Sequence, residues 1–226
     1  MLRLIPGMKI FVLPDGRHFV LDPDPESLAE ATTDVYCIVD ASEVDPYLGL
    51  GFDVHRREGV YLLPIRSARM DAPRGIVFAH ADEVDEATLR VLDDELRQDV
   101  PGAEGWQWGE ADFHKETYES AEFDPTTYLV ALDGEQGEHV GIVRVWMKQP
   151  IPRLGFIGVR RSYRRRGIAR ALLAEVFARL DARGIHEVLA EIDETNTASR
   201  ELLEGLGARR TGTNLELVRR CAPRVV

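Results

Sequence analysis

The sequence predicts an α/β protein (α+β in its mixed sheet): a central mixed β-sheet flanked by helices, with a small β-rich segment in front. Three observations predict it. Residues 154–159 are apolar with Gly interspersed, as in a buried strand, and from Ile168 onward Ile168, Leu172, Leu173, Val176, Phe177 and Leu180 recur three or four apart, as in a helix. Residues 128–132 and 140–147 are apolar runs joined by Asp133-Gly-Glu-Gln-Gly137, a hairpin pattern. The second part of the chain then runs strand, helices, three strands, helix, strand, helix, strand, an order that a mixed sheet covered by helices satisfies.

Taken in order, residues 8–13 and 18–21 alternate around a Pro14-Asp-Gly16 turn and predict a hairpin. Residues 24–31 predict a short helix with Pro25 in its first turn. A strand is expected at 35–39 and a helical turn at 46–50, ending at Gly51. Val54 with 59–65 predicts a second hairpin closing at Pro64. Residues 67–75, with Asp71, Pro73 and two Arg, read as a linker. The chain therefore divides into an N-terminal β-rich extension, 1–70, and a main domain, 71–226. The main domain opens with a strand at 76–79. A helix follows over 83–100, stopped by Pro101-Gly102, and a second covers 111–120 with Phe113 and Tyr118 on one side. After the hairpin and the 154–159 strand, a helix runs from Ile168 to about Arg183, with Gly184 as C-cap. A strand is expected over 186–192, a helix capped by Thr195 or Asn196 up to Gly205, and final strands over 210–218.

With 28 Lys and Arg against 39 Asp and Glu, the chain carries a net charge of −11. That argues against a general nucleic-acid binder and is compatible with a cationic substrate. The acidic residues concentrate in 78–138 and the basic ones in 153–170. The two cysteines, Cys37 and Cys221, are far apart and lack metal spacing, and the six His form no ligand pair. No metal site is expected. The opening segment is interrupted by Pro6, Gly7 and Lys9, unlike a signal peptide or a membrane span. The expectation is a cytoplasmic protein with no membrane partner.

Between the 154–159 strand and the following helix lies an Arg-dense turn, Arg164-Arg-Arg-Gly167-Ile-Ala169. A helix N-terminus carries unpaired N–H groups and partial positive charge, so it attracts phosphate. Gly167 keeps a Cβ out of the way, and the guanidinium groups of Arg164, Arg165 and Arg166 suit phosphate oxygens. The turn predicts a pyrophosphate site. There is no Gly-Lys-Ser/Thr of a P-loop, nor a Gly-x-Gly-x-x-Gly after a strand.

The spacing Arg164-x-x-Gly167-x-Ala169 resembles the acyl-CoA signature of the GNAT N-acetyltransferases. The resemblance runs from Val159 through Asn196-Thr-Ala-Ser199-Arg to Leu206-Gly207-Ala208. It implies a sheet in which two parallel strands splay apart around the cofactor's pantetheine arm. It implies acetyl-CoA as co-substrate and direct attack of a primary amine on the thioester. Backbone N–H groups of Arg165, Arg166, Gly167, Ile168 and Ala169 would hold the pyrophosphate, and those of the strand ending at Val159 the thioester carbonyl. Arg160 and Arg161 are either further phosphate contacts or solvated charges. Asn196 matches the family residue that hydrogen-bonds the cofactor arm, and it also suits a helix N-cap. Many relatives place a Tyr acid seven residues after that Asn; here the position is Leu203. Ser199, one turn from Asn196, is the leading replacement, with Tyr163 or water as alternatives. The strand before the turn has no carboxylate, so Glu191, then Asp193, are the candidate bases, although a solvated or ion-paired Glu191 is the commoner outcome.

The family selects its acceptor between its first two strands. Trp106, Trp108, Tyr128 and Trp146 are candidate pocket walls, or core. The stretch 47–64 resembles the C-terminal end of a second GNAT unit, comparable with 202–218; a degenerate half-repeat and an unrelated β-rich extension both fit. The N-terminal segment either packs on its own chain or pairs across a homodimer. The competing function is a CoA-binding regulatory or scaffolding protein with little turnover.

Overall fold

The computed structural model describes residues 2–5, 8–21, 23, 25–29, 31–66 and 70–221. Pro6 and Gly7 of the opening segment, the helix-start residue Asp24 and residues 67–69 of the linker lie outside these.

The chain opens with β1 (Leu2–Ile5), β2 (Met8–Val12) and β3 (His18–Leu21), followed by a short helix α1 (Pro25–Ala29), β4 (Val35–Asp40), α2 (Asp45–Gly49) and β5 (Asp53–Pro64). The second part comprises β6 (Ile76–His80), α3 (Glu86–Arg97), α4 (Glu110–Tyr118), β7 (Tyr128–Asp133), β8 (Glu138–Trp146), β9 (Arg153–Val159), α5 (Ile168–Asp181), β10 (Glu187–Asp193), α6 (Thr197–Glu204) and β11 (Arg209–Arg219).

Two expectations are corrected. β1 was not foreseen; it pairs antiparallel with β2, Leu2 opposite Phe11. The expected second hairpin at 54–65 is one 12-residue strand, β5. Gly59 does not turn the chain. It lies under the Tyr61 ring, where a Cβ would come within 2.6 Å of the ring's Cε2. Both edges of β5 are paired, with β10 along one side and β11 along the other, and this pairing holds the strand extended through its glycine.

All eleven strands form one sheet, ordered β1-β2-β3-β4-β11-β5-β10-β9-β8-β7-β6. It runs without a break across the expected boundary at residue 70. Of the two placements expected for the N-terminal segment, the structure has it paired on its own chain. Outward from the central β11–β5 pair, the two halves repeat one pattern. Each has an antiparallel partner (β4 on β11, β10 on β5), then a parallel neighbour joined over two residue pairs, then antiparallel strands. The parallel joins are His18↔Val35 with Phe19↔Tyr36, and Arg153↔Leu189 with Leu154↔Ala190.

Alternation in β10 fixes the sheet's two faces. Val188, Ala190 and Ile192 are buried with Ile168, Leu172, Val176 and Leu180 of α5 and Leu203 of α6. On the opposite face α3 and α4 bury Leu89, Leu92, Leu96 and Phe113 against Tyr128, Val130, Ile142 and Phe156. Each fully buried Leu or Phe here contributes about 1.5–3 kcal/mol. A third core, with Ile10, Val20, Leu28, Cys37 and Phe52, lies in the N-terminal half. Among the described residues no helix is long and apolar enough to cross a membrane.

Candidate active site

After Leu154, β9 and β10 part, since their parallel pairing is confined to the two residue pairs above. A cleft of about 490 Å³ lies at the end of β9. It is bounded by Leu96 of α3 with Asp99 and Val100 after it, Gly158 and Val159 of β9, the Arg-rich turn, and Asn196, Ser199 and Leu202 at the start of and within α6.

The backbone of β9 supplies donors to the widening gap. Arg160 N–H donates to Val140 O, and Val159 lies opposite Gly141. Hydrogen-bonded and non-bonded pairs alternate along an antiparallel ladder, so the N–H groups of Ile157 and Val159 point away from β8, toward β10. Val159 O, pointing the same way, accepts from Arg164 Nε at 2.9 Å.

The turn is built from two left-handed residues. Gly167 has φ 83°, which glycine adopts without penalty, and Arg165 has φ 64°, uncommon for a residue with a Cβ. A Cβ at Gly167 would meet no atom within 4 Å. The glycine therefore answers a backbone requirement and leaves open space in front of the turn. Gly167 caps α5 without a side-chain hydrogen bond, so the first N–H groups of Ile168 and Ala169 keep their donor capacity. α6 differs: Asn196 accepts from Ser199 N–H at 3.1 Å and so caps its own helix. Both Asn196 and Ser199 line the cleft.

The arginines have different fates. Arg164 is anchored by Val159 O and donates to Asp99 at 2.5 Å. Arg161 also donates to Asp99, and Arg160 to Glu95 at 2.7 Å. Arg166 lies over the Tyr163 ring, 5.1 Å from its centroid. Arg165 is exposed and lines the cleft. The hydrogen bonds from Arg161 and then Arg164 hold the Asp99 carboxyl below its ordinary range.

The candidate acids and bases separate. Tyr163 is buried and its hydroxyl donates to Asp133 at 2.9 Å, while burial and then Asp133 raise its pKa. Leu203 is buried in the core. Ser199 is thus the side-chain hydroxyl in the cleft without another side-chain partner among the described residues. Glu191 is not brought into the cleft: it faces the α3 side of the sheet, paired with Arg153 and accepting from Asn214 at 3.0 Å. Asp193 is spent on Thr195 N–H at 2.8 Å and lies 3.6 Å from Arg56. Beside Glu191 is Glu58 of β5, which the sequence reading missed. Burial pushes its carboxyl up against the pull of Arg56, and Glu191 and Glu216 add to the rise.

Of the aromatic residues, Tyr128 is fully buried, and Trp108 donates its Nε1–H to Asp93 at 2.9 Å. Trp106 and Trp146 are half-buried; Trp146 lies flat over Gly155. Charged residues of the cleft that the sequence reading missed include Asp99 and Arg170. An acid just past a helix gave no signal, because its partners come from 62 or more positions away.

The sequence profile of the acetyltransferase (GNAT) family matches residues 90–208. The chain belongs to the GNAT acetyltransferase family. Among solved structures, this GNAT chain is similar to a GCN5-related N-acetyltransferase from Sphaerobacter thermophilus, with TM-score 0.73 and 21% identity, covering 96% of this chain and 76% of that one. It is also similar to a tandem GNAT protein from the clavulanic acid biosynthesis pathway, with TM-score 0.67, 14% identity and coverage of 96% and 79%. A third is a GCN5-related N-acetyltransferase from Kribbella flavida, with TM-score 0.61, 12% identity and coverage of 100% and 91%. No curated protein sequence matches the chain.

Proposed function

We propose that this GNAT protein transfers an acetyl group from acetyl-CoA to a primary amine by direct attack in a ternary complex. The observation that carries the reading is the uncapped start of α5 behind two left-handed residues, opening on a cleft where β9 and β10 part. N–H groups of Arg165 to Ala169 bind the cofactor's diphosphate. Asn196 and the N–H groups of Ile157 and Val159 hold the pantetheine arm and the thioester carbonyl. The amine attacks the carbonyl carbon after losing its proton through water to Glu191, which lies outside the cleft on the α3 face of the sheet. The C–S bond breaks, and the CoA thiolate takes a proton from Ser199 or water, which regains one from the attacking nitrogen as the amide forms. The two cysteines, far apart in sequence, with Cys37 buried and its pKa pushed up to about 12 by burial and then Glu216, fit a reducing, cytoplasmic setting.

We propose also that residues 1–70 are a degenerate half-repeat of the 71–226 GNAT domain. The matching pairing on either side of β11–β5 supports this. A second functional reading, a CoA-binding regulatory or scaffolding protein, is favoured by one observation: the usual Tyr position is the buried Leu203 and Tyr163 is committed to Asp133.

Two measurements test these readings. Acetyl-CoA at about 100 times its Kd is expected to stabilise the native protein by about 2.7 kcal/mol in a thermal melt. Amine-dependent thiol release then separates enzyme from binder; stabilisation without release by any amine of a broad panel supports the regulatory reading. For Ser199→Ala, we expect kcat to fall about tenfold or more while the KM for acetyl-CoA moves less than about twofold. Wild-type kcat would retire Ser199 as the acid.

A further inference from the structure

The cleft carries its own anion. Asp99 lies two residues beyond α3 and lines the cleft beside Arg164, Arg165 and Gly167. Arg161 Nε donates to both its carboxylate oxygens, at 3.0 and 3.1 Å, and the same guanidinium donates through a second nitrogen. Arg164 adds a bond at 2.5 Å. Carboxylate and phosphate oxygens present the same kind of acceptor to a guanidinium. These Asp99 contacts therefore use the donors that a diphosphate at the turn would use.

We propose that Asp99 competes with the cofactor's diphosphate for Arg161 and Arg164, and so couples cofactor binding to the segment that follows α3. The inference rests on the CoA reading of the cleft. The ion pairs are cheap to exchange, because the Arg161 side chain is 79% exposed and that of Arg164 43%. Arg164 stays anchored through Val159 O, so it swings and does not leave. Asp99 in turn is tied to the 98–109 segment. Its neighbour Gln98 donates to Trp106 O at 2.8 Å and accepts from Gly105 N–H at 3.1 Å. The Trp106 ring stacks on Arg97, 4.8 Å from its centroid. Release of the Asp99 carboxylate frees this stapled segment at its first residues, on the side of the protein that carries Trp106.

The test is calorimetric titration of wild type, Asp99→Asn, Asp99→Glu and Glu95→Gln with CoA and with inorganic pyrophosphate. Glu95 pairs with Arg160 one turn earlier, so its variant removes the same charge without touching Arg161 or Arg164. Asp99→Asn is expected to bind both probes about three- to tenfold more tightly than wild type. Asp99→Glu should keep wild-type affinity, and Glu95→Gln should change it less than about twofold. Tryptophan emission of Asp99→Asn without ligand should match that of CoA-saturated wild type. Equal or weaker binding by Asp99→Asn, or an equal gain in Glu95→Gln, overturns the competition. Emission identical to that of ligand-free wild type overturns the coupling. If wild type does not bind CoA at millimolar concentration, the cofactor reading falls, and this inference with it. The wild-type titration alone reports that result.

Discussion

Gly167→Glu is expected to weaken CoA binding at least about 100-fold, a loss of roughly 2.7 kcal/mol, while the protein stays folded. Two causes add. The residue sits at the N-terminus of α5, where the donors for the diphosphate are, and a carboxylate there opposes the ligand's charge and can itself cap the helix. Its side chain would also project into the open space in front of the turn, since a Cβ at this position meets nothing within 4 Å. The fold survives for the same reason. The remaining cost is conformational: at φ 83° a residue with a Cβ is strained by roughly 1–2 kcal/mol. Melting curves with and without CoA measure both effects at once. A folded variant that still shifts with CoA as wild type does would remove the phosphate turn as the cofactor site.

The largest stability effect is expected at Asp93, which does not line the cleft. Asp93 is fully buried on α3 among aromatic rings. It accepts from Arg97 Nε at 2.5 Å and from Trp108 Nε1 at 2.9 Å, and lies 4.0 Å from Arg144. Both arginines are sandwiched: Arg97 over Trp106 and Phe156, Arg144 over Tyr128 and Trp146. Asp93→Ala leaves this buried positive charge without its counter-ion, which costs about 3–5 kcal/mol. In a protein of this size that is roughly 10 °C in Tm. Burial alone would raise the Asp93 pKa, but Arg97 and Arg144 with their hydrogen bonds outweigh it and hold it below the ordinary value. Its folded value is therefore lower than its unfolded one. The stabilisation is complete above the unfolded value of about 3.9 and is lost as pH falls through the folded value. Urea melts of wild type and Asp93→Ala at pH 7 and pH 3 check the sign: the difference between them should shrink at the lower pH. A loss under about 1 kcal/mol at pH 7 would mean that aromatic packing alone holds the arginines.

Local patterns carried much of this far. The β9 strand, the Arg-dense turn and the α5 helix are contiguous, and their apolar spacing and Gly167 are legible without partners. So is the β7–β8 hairpin. β5 was misread for the opposite reason. Arg56 and Glu58 look like solvated charges near a turn, yet they sit in a central strand. Arg56 is satisfied there by Glu216 at 3.0 Å and by Pro101 O at 2.7 Å, from segments 160 and 45 residues away. No local pattern announces such partners. In the cleft, the sequence offered the N–H groups of β9 together; which of them face the gap depends on the register with β8, which no local pattern gives. Glu191 lies on the face opposite Ala190, as strand alternation requires, but no local pattern reveals that Arg153 and Asn214 wait there.

The placement of β11 has a consequence in time. Asn214 lies opposite Asp40 on one edge and Glu58 on the other. During synthesis, β4 and β5 emerge early and then wait for the strand that closes between them, with the 144 residues from 65 to 208 still to be made. Such distant pairings make folding slow, because the intervening loop must be closed before any contact rewards it. The wait also acts as a proof of completeness. A chain cut short before β11 leaves two strand edges open in the middle of its sheet, where other chains can add, and is marked as unfinished by that exposure.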